Sequence, residues 1–218
     1  MSKQPLLIAC EGPDGVGKTT SVDYLSKVLR LQGHTVKVVR AMGSGEVGHV
    51  VREYLLKQYF TADQGSLACA LAITDAYRTA LKYLEDGHSV ILDRYIGTYY
   101  AYNLKGNQER LAPDLFELLF TDDTIISRKP DVIFYLTMDN DAAKQRMLER
   151  QQEVTHFDKA NEAYRQRLLE GYMDFSIRYT GSEWVVIDNN HDLPYLYQQL
   201  DTELTNLLQS QEQLCSST

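Results

Sequence analysis

Gly12-Pro13-Asp14-Gly15-Val16-Gly17-Lys18-Thr19 decides the fold of this chain. It satisfies G-x-x-x-x-G-K-[ST], in which glycines let backbone N–H groups turn inward on a chain of phosphates. Its flanks have the required form. Upstream, Leu6-Leu7-Ile8-Ala9-Cys10 is a short apolar strand. Downstream, Thr20 to Leu29 sets Val22, Leu25, Val28 and Leu29 on one helical stripe. A helix that starts at such a loop adds unpaired N–H donors and a positive dipole end. Lys18 would reach the outer phosphates of a nucleotide, and the Thr19 hydroxyl would ligate Mg²⁺. Gly12, Asp14, Gly15, Val16, Gly17, Lys18, Thr19 and Thr20 are therefore candidate phosphate-donor contacts.

Outward from this loop, strand-like and helix-like segments alternate, which predicts an α/β fold of P-loop type. A five-stranded parallel sheet carries helices on both faces. The strands are read at Leu6–Cys10, Thr35–Arg40, Ser89–Asp93, Asp131–Leu136 and Glu183–Asp188. Helices are read at Val50–Phe60, Ser66–Asp86, Tyr95–Lys105, Pro113–Leu119, Asp141–Gln151, Lys159–Tyr179 and Leu193–Leu208. Residues 1–208 form one domain, with a short lid around 147–158, and 209–218 is a polar tail. There is no repeat and no linker.

The 218 residues are enough for one full core, and 44% hydrophobic with 24% charged residues is ordinary for a globular chain. A net charge of -8 argues against a nucleic-acid binder while leaving room for a local basic cleft. Cys10, Cys69 and Cys215 lack metal-ligand spacing and read as reduced thiols of a cytoplasmic protein. Met1–Pro5 runs straight into the first strand, so no signal peptide is expected, and no apolar run is long enough to span a bilayer. The histidines His34, His49, His88, His156 and His191 also lack metal-ligand spacing.

Val90-Ile91-Leu92-Asp93 is an apolar strand ending in a carboxylate. Ligands of open parallel sheets sit beyond the carboxyl ends of the strands, so Asp93 would lie near Lys18 and Thr19 and share a Mg²⁺ ion with Thr19. Arg94 follows at once, and a guanidinium fork suits the charged oxygens of a phosphoryl group.

Asp93-Arg94-Tyr95-Ile96-Gly97-Thr98-Tyr99-Tyr100-Ala101-Tyr102-Asn103 resembles the D-R-Y/H-x-x-S-x-x-A-Y-Q segment of thymidylate kinases. Thr98 stands at the Ser position and Asn103 at the Gln position. Glu11 to Thr20 is similar to that family's E-G-x-D-G-x-G-K-S/T-T loop. The strand from Pro130, the Phe157–Tyr172 stretch and Val185–Asp188 agree with it, so the resemblance covers nearly the whole chain. It implies ATP as donor, a small nucleotide acceptor, Mg²⁺ and a homodimer through Ser66–Asp86. It also implies roles by position. Lys18 and Thr19 hold donor phosphates and metal, and Asp14 lies by the acceptor and metal. Arg94 binds the acceptor phosphate, and Tyr102 faces the deoxyribose. The stretch from Asp188 to His191, including Asn189, borders the adenine. Some members carry a mobile arginine in the glycine loop. Here that position is Gly15, which turns attention to Arg146 and Arg150 at the lid. Lys18, Arg94, Asp14 and Arg150 are thus the expected catalytic set.

The departures concern the acceptor's base. The loop from Arg40 through Gly45 lacks the family's Pro and its second Arg. Where the family has L-F-A-A-D-R, with Phe stacking on thymine and Arg reading a carbonyl, this chain has Leu71-Ala72-Ile73-Thr74-Asp75-Ala76. Ala72 stands for Phe and Ala76 for Arg, so Arg78 can serve only with a register shift. Tyr77 or Tyr99 could supply a ring, given the 15 tyrosines of the chain. Arg40, Arg78, Arg94, Thr98, Tyr99 and Tyr102 are the expected acceptor contacts. The leading expectation is a kinase of dTMP or a related deoxynucleotide. One alternative is a kinase of a deoxynucleoside or modified nucleotide, with Asp14, Asp75 or Glu46 as base. The other is a nucleotide-driven switch, disfavoured because no N-K-x-D base-reading motif is present.

Overall fold

Five parallel strands lie in the order β2-β3-β1-β4-β5 in the computed structural model, which describes residues 3–57, 59–108, 110–121, 125–149 and 162–216. The strands are β1 (Leu7–Glu11), β2 (Val36–Arg40), β3 (Ser89–Asp93), β4 (Val132–Thr137) and β5 (Glu183–Asp188). Successive side chains of a strand point to opposite faces, and both faces here are covered. Leu7, Ala9, Val90, Leu92 and Ile133 enter one core with α3 (Ala62–Glu85), α4 (Ile96–Tyr99), α5 (Ala112–Phe116) and α7 (Glu162–Arg178). Leu6, Ile8, Cys10, Ile91, Phe134 and Leu136 enter the other with α1 (Lys18–Leu31), α6 (Asn140–Glu149) and α8 (Leu193–Ser216). The remaining helix, α2 (Gly45–Leu56), packs on α3 through Val51, Ala68 and Ala72.

Several elements differ from their sequence reading. The third helix starts at Ala62, because Thr61 and Gln64 form a reciprocal cap, Thr61 Oγ1 accepting from the Gln64 N–H. The stretch expected as one helix from Tyr95 becomes α4 followed by a π-helical turn, Tyr100–Gly106, closed by Asn107 N–H donating to the Tyr102 carbonyl at 2.8 Å. The closing helix runs to Ser216 instead of stopping at Leu208, since no Gly or Pro interrupts 209–216.

Pairing in the sheet positions the site. Cys10 is in register with Asp93 across β1 and β3, so the loop after β1 and the carboxylate closing β3 emerge side by side.

Candidate active site

A cavity of about 900 Å³ opens beyond the carboxyl ends of the strands. Its floor holds Asp14, Gly15, Gly17, Lys18 and Thr19, with Arg40, Asp93, Arg94, Thr98, Tyr99, Tyr102 and Asn103 around them. Lys144 and Arg146 of α6 and Arg165 of α7 reach it from the far side. The described lining carries seven lysines and arginines against two carboxylates, in a chain whose net charge is -8. Such a local reversal of sign collects polyanions.

The glycine loop is braced from outside. Gly15 has φ +83°, and a Cβ there would stand 2.7 Å from the Ala143 carbonyl, so α6 lies directly on the loop. Behind Gly17, Asn189 Nδ2 donates to the Val16 carbonyl at 2.8 Å. Asn189 is 2% exposed, and its side chain is a strut under the loop. Lys18 Nζ donates to the Pro13 carbonyl at 2.5 Å. Burial, together with the charge of Arg94, lowers its pKa to about 8 despite Asp14, Asp93 and Glu11.

Arg94 sits at φ 72°, a left-handed backbone seldom adopted by a side-chain-bearing residue. Glu11 holds the segment that follows it. This fully buried carboxylate accepts from Tyr95 N–H and Thr98 N–H, both at 2.9 Å, and from Thr98 Oγ1 at 2.6 Å. Burial raises the Glu11 pKa, while the Thr98 hydrogen bonds and Arg94 pull the other way. The Arg94 fork is fixed in turn. One nitrogen donates to the Gly12 carbonyl at 3.3 Å and the other pairs with Asp14. Tyr102 donates to the other Asp14 oxygen at 3.1 Å, and the Arg94 guanidinium lies 5.7 Å from its ring centroid. Tyr172 of α7 closes the network by donating to the Gly12 carbonyl at 3.1 Å. Burial opposes ionisation of Asp14, but Arg94, Lys18 and the Tyr102 hydroxyl outweigh it and hold its pKa below the ordinary value.

Asp93 is nine-tenths buried and accepts from Arg40 Nε at 3.1 Å through Oδ2. Its Oδ1 has no partner among the described residues. With the exposed Thr19 hydroxyl it forms a pair of hard oxygen donors on one cavity wall. This donor set suits Mg²⁺, which binds one or two protein oxygens and completes its shell with phosphate and water.

A family model described as thymidylate kinase matches residues 10–200. The chain belongs to the thymidylate kinase family. Among curated relatives, a thymidylate kinase of Ruegeria pomeroyi is 28% identical over 199 residues, covering 88% of this chain and 91% of the relative. That of Thermosipho melanesiensis is 27% identical over 206 residues, covering 93% and 99%. That of Bordetella pertussis is 27% identical over 219 residues, covering 95% and 98%.

Within this thymidylate kinase fold, the positions inferred from motifs separate into two groups. The structure brings together Asp14, Gly15, Gly17, Lys18, Thr19, Arg40, Asp93, Arg94, Thr98, Tyr99, Tyr102 and Arg146. Gly12, Val16, Thr20 and Asn189 lie outside this cavity's lining; the first two present carbonyls to the bracing contacts. Arg150 and residues 151–158 of the expected lid fall outside the described residues.

The face of α3 differs from the one the motif alignment selected. Gly65, Cys69 and Ile73 line the cavity at intervals of four. Ala72 packs on α2, and Ala76 enters the core. Arg78, five residues beyond Ile73, is rotated by about 140° at 100° per residue and is exposed to solvent away from the cavity. Tyr77 is core, its hydroxyl donating to the Arg128 carbonyl at 3.1 Å and accepting from Arg128 N–H at 2.7 Å. The Tyr99 ring is buried edge-on against Phe120, 5.2 Å between centroids, and offers no open stacking face.

Sequence reasoning missed Glu11 as a brace, Arg165 and Lys144 as cavity cations, and Asn103. The Asn103 side chain is 4% exposed, lines the cavity, and has no hydrogen-bond partner among the described residues. Its place at the end of the Ala-Tyr-Asn segment was the available signal.

Proposed function

We propose that this protein transfers the γ-phosphoryl group of ATP to the 5′-phosphate of dTMP, giving ADP and dTDP. The observation that carries this reading is the position of Arg94. Its fork stands between the glycine loop and Tyr102, so an acceptor phosphate gripped there lies beside the donor phosphates.

An oxygen of the acceptor phosphate forms the new bond to the γ-phosphorus, and the bond to the β–γ bridging oxygen breaks, leaving on ADP. The acceptor is already an anion, so no general base is needed; the work is positioning and charge neutralisation. Lys18 bears on the donor's outer oxygens. Arg94 exchanges Asp14 for acceptor oxygens in a bidentate contact. Asp14, kept ionised by its neighbours, orients Arg94 and Tyr102. Arg146, and Arg150 at the expected lid, add positive charge as the transferred group moves. Thr19 and Asp93 would hold Mg²⁺, which neutralises phosphate charge when bound. Tyr102 meets the deoxyribose, where its ring leaves little room for a 2′-hydroxyl.

A nucleoside acceptor fits less well. It would need a carboxylate to take a hydroxyl proton. Asp14 is held in its anionic form by Arg94 and Tyr102, and Asp75 is not part of the cavity lining. The α3 surface with Leu67 and Leu71, 50% and 55% exposed, supports a homodimer along that helix. No helix among the described residues is long and apolar enough to cross a membrane, and the buried Cys10 and Cys69 are in no disulfide among the described residues.

The test is coupled ADP release over a panel of nucleosides and nucleoside monophosphates. Turnover with deoxynucleoside monophosphates and none with nucleosides is expected. Tyr102→Ala should narrow the preference for deoxy over ribo acceptors. Turnover with nucleosides alone, or only when a macromolecule is added, contradicts the reading.

A further inference from the structure

Four side chains that do not line the cavity hold the turn that does: Tyr100, Lys105, Arg167 and Asp174. The π-helical turn Tyr100–Gly106 carries Tyr102 and Asn103 into the cavity lining, and α7 grips both its ends. At the first end, the Tyr100 hydroxyl donates to Asp174 Oδ2 at 2.5 Å. Near the other, Lys105 Nζ meets the same oxygen at 2.7 Å. Arg167 donates to the Gly106 carbonyl through two nitrogens, both at 3.2 Å. The second Asp174 oxygen accepts from Arg178 Nε at 3.1 Å, one turn further along α7 itself. One carboxylate thus ties the start and the end of the π-helical turn to a single point on the neighbouring helix. The hydrogen bonds of Lys105 and Tyr100 hold the Asp174 carboxyl well below the ordinary carboxylate range, so it is anionic near neutral pH.

A π-helix closes i→i+5 hydrogen bonds and is rare beside the α-helix, so its tertiary contacts matter. A return to i→i+4 bonding would rotate Tyr102 and Asn103 about the helix axis relative to Tyr100. Close packing at Gly171 brings α7 onto the turn, but van der Waals contact has no direction. The hydrogen bonds to Asp174 do have one, and they fix the rotation. Tyr102 depends on it, because its hydroxyl reaches Asp14, the partner of Arg94. The donor side does not, because Asn189 and α6 brace the glycine loop. Accepting the reading above, in which Tyr102 meets the deoxyribose, we infer that Asp174 is a positioning residue for the acceptor. Through Tyr100 and Lys105 it sets the rotation of the π-helical turn, and with it the place of Tyr102 against the acceptor sugar.

Steady-state kinetics of the purified enzyme test this with ATP and dTMP, and with dUMP against UMP, which differ only at the 2′ position. Asp174→Ala and Lys105→Met should each raise the KM for dTMP about fivefold or more, with the KM for ATP within about twofold of the parent. Both should cut the preference for dUMP over UMP in kcat/KM by about threefold or more. The double variant should be no worse than Asp174→Ala, since the two changes break one contact. Arg178→Ala removes a partner of the same carboxylate that lies on α7 itself, and should leave all these values at the parental level. A lower melting temperature with parental KM values and parental dUMP-to-UMP preference gives Asp174 a structural role alone and overturns the inference. An equal effect of Arg178→Ala overturns it too. If Asp174→Ala fails to fold, Lys105→Met decides the matter, its side chain being 39% exposed. Parental turnover of deoxynucleoside monophosphates with unmoved variants breaks this inference alone. A parent enzyme that turns over none of them breaks the kinase reading, and the inference with it.

Discussion

At the phosphate end of the cavity, Arg94 and Asp14 hold one another, Asp93 is paired with Arg40, and Lys18 is held by the Pro13 carbonyl. Arg94 is gripped by Asp14 and the Gly12 carbonyl, Asp14 by Tyr102, and the turn carrying Arg94 by Glu11. At the other end, Met42, Leu55, Cys69 and Ile73 line the cavity with apolar side chains. A preorganised charge network loses much when one member is removed, because the others stay fixed and buried. An apolar wall loses little and adapts. The contrast teaches that fixed polar contacts are concentrated around the glycine loop, while the far wall of the cavity is apolar.

The sharpest way to break the comparison is at its rigid end. Lys18→Ala should remove nearly all turnover, roughly 3–4 kcal/mol of transition-state stabilisation, as for other fixed electrostatic contacts. Rates are to be measured on protein whose melting curve matches the parent; parental turnover would take Lys18 out of the reaction. Arg94→Ala should follow, raising the KM of the acceptor more than that of ATP, with roughly 1.5–3 kcal/mol at stake for its charged hydrogen bonds. Arg94→Lys should rescue poorly, since an ammonium lacks the fork. An effect confined to ATP would move Arg94 to the donor side.

Gly15→Ala probes the bracing of the loop. The backbone at φ +83° and the Ala143 carbonyl 2.7 Å from the new Cβ should together cost about 1–2 kcal/mol or more of stability. An unshifted denaturant midpoint would show that α6 yields freely.

The smallest effect is in the pH profile. The Lys18 pKa is lowered to about 8, below its ordinary value of 10.5, so the folded protein favours the neutral amine. Its charged form therefore weighs against folding below pH 8, and that cost is relieved as pH rises from 8 toward 10.5. Activity moves the other way. kcat/KM for ATP should fall above about pH 8 as the ammonium is lost, while kcat at saturating ATP holds to higher pH because bound phosphates restore the charge. In Arg94→Ala the limb should move up, since Arg94 is a main cause of the depression. Coincident limbs in kcat and kcat/KM would remove Lys18 as their origin.

The strands were legible because period-two burial on both sheet faces leaves continuous apolar runs such as Val90-Ile91-Leu92. The π-helical turn was not. It depends on α7 crossing closely at Gly171, where a Cβ would stand 2.8 Å from the Ala101 Cα, and no local propensity encodes that crossing. The cavity-lining face of α3 differs from the sequence reading for a related reason. Ala72, Ile73 and Ala76 are all apolar, so composition does not say which of them meets a cavity and which meets α2 or the core.

What the sequence by itself determined is the phosphate site. Its parts are eight consecutive residues and the end of the strand that pairs with β1, and local backbone geometry is enough to build it. What only the tertiary structure decided are the contacts between distant segments. Asn189 supports the loop through Val16, 173 residues away, instead of simply bordering a base. Glu11 fixes Thr98 across 87 residues. Asn103 is carried into the cavity lining by the π-helical turn. A motif specifies chemistry where neighbours in sequence are neighbours in space; elsewhere packing chooses which side chains meet.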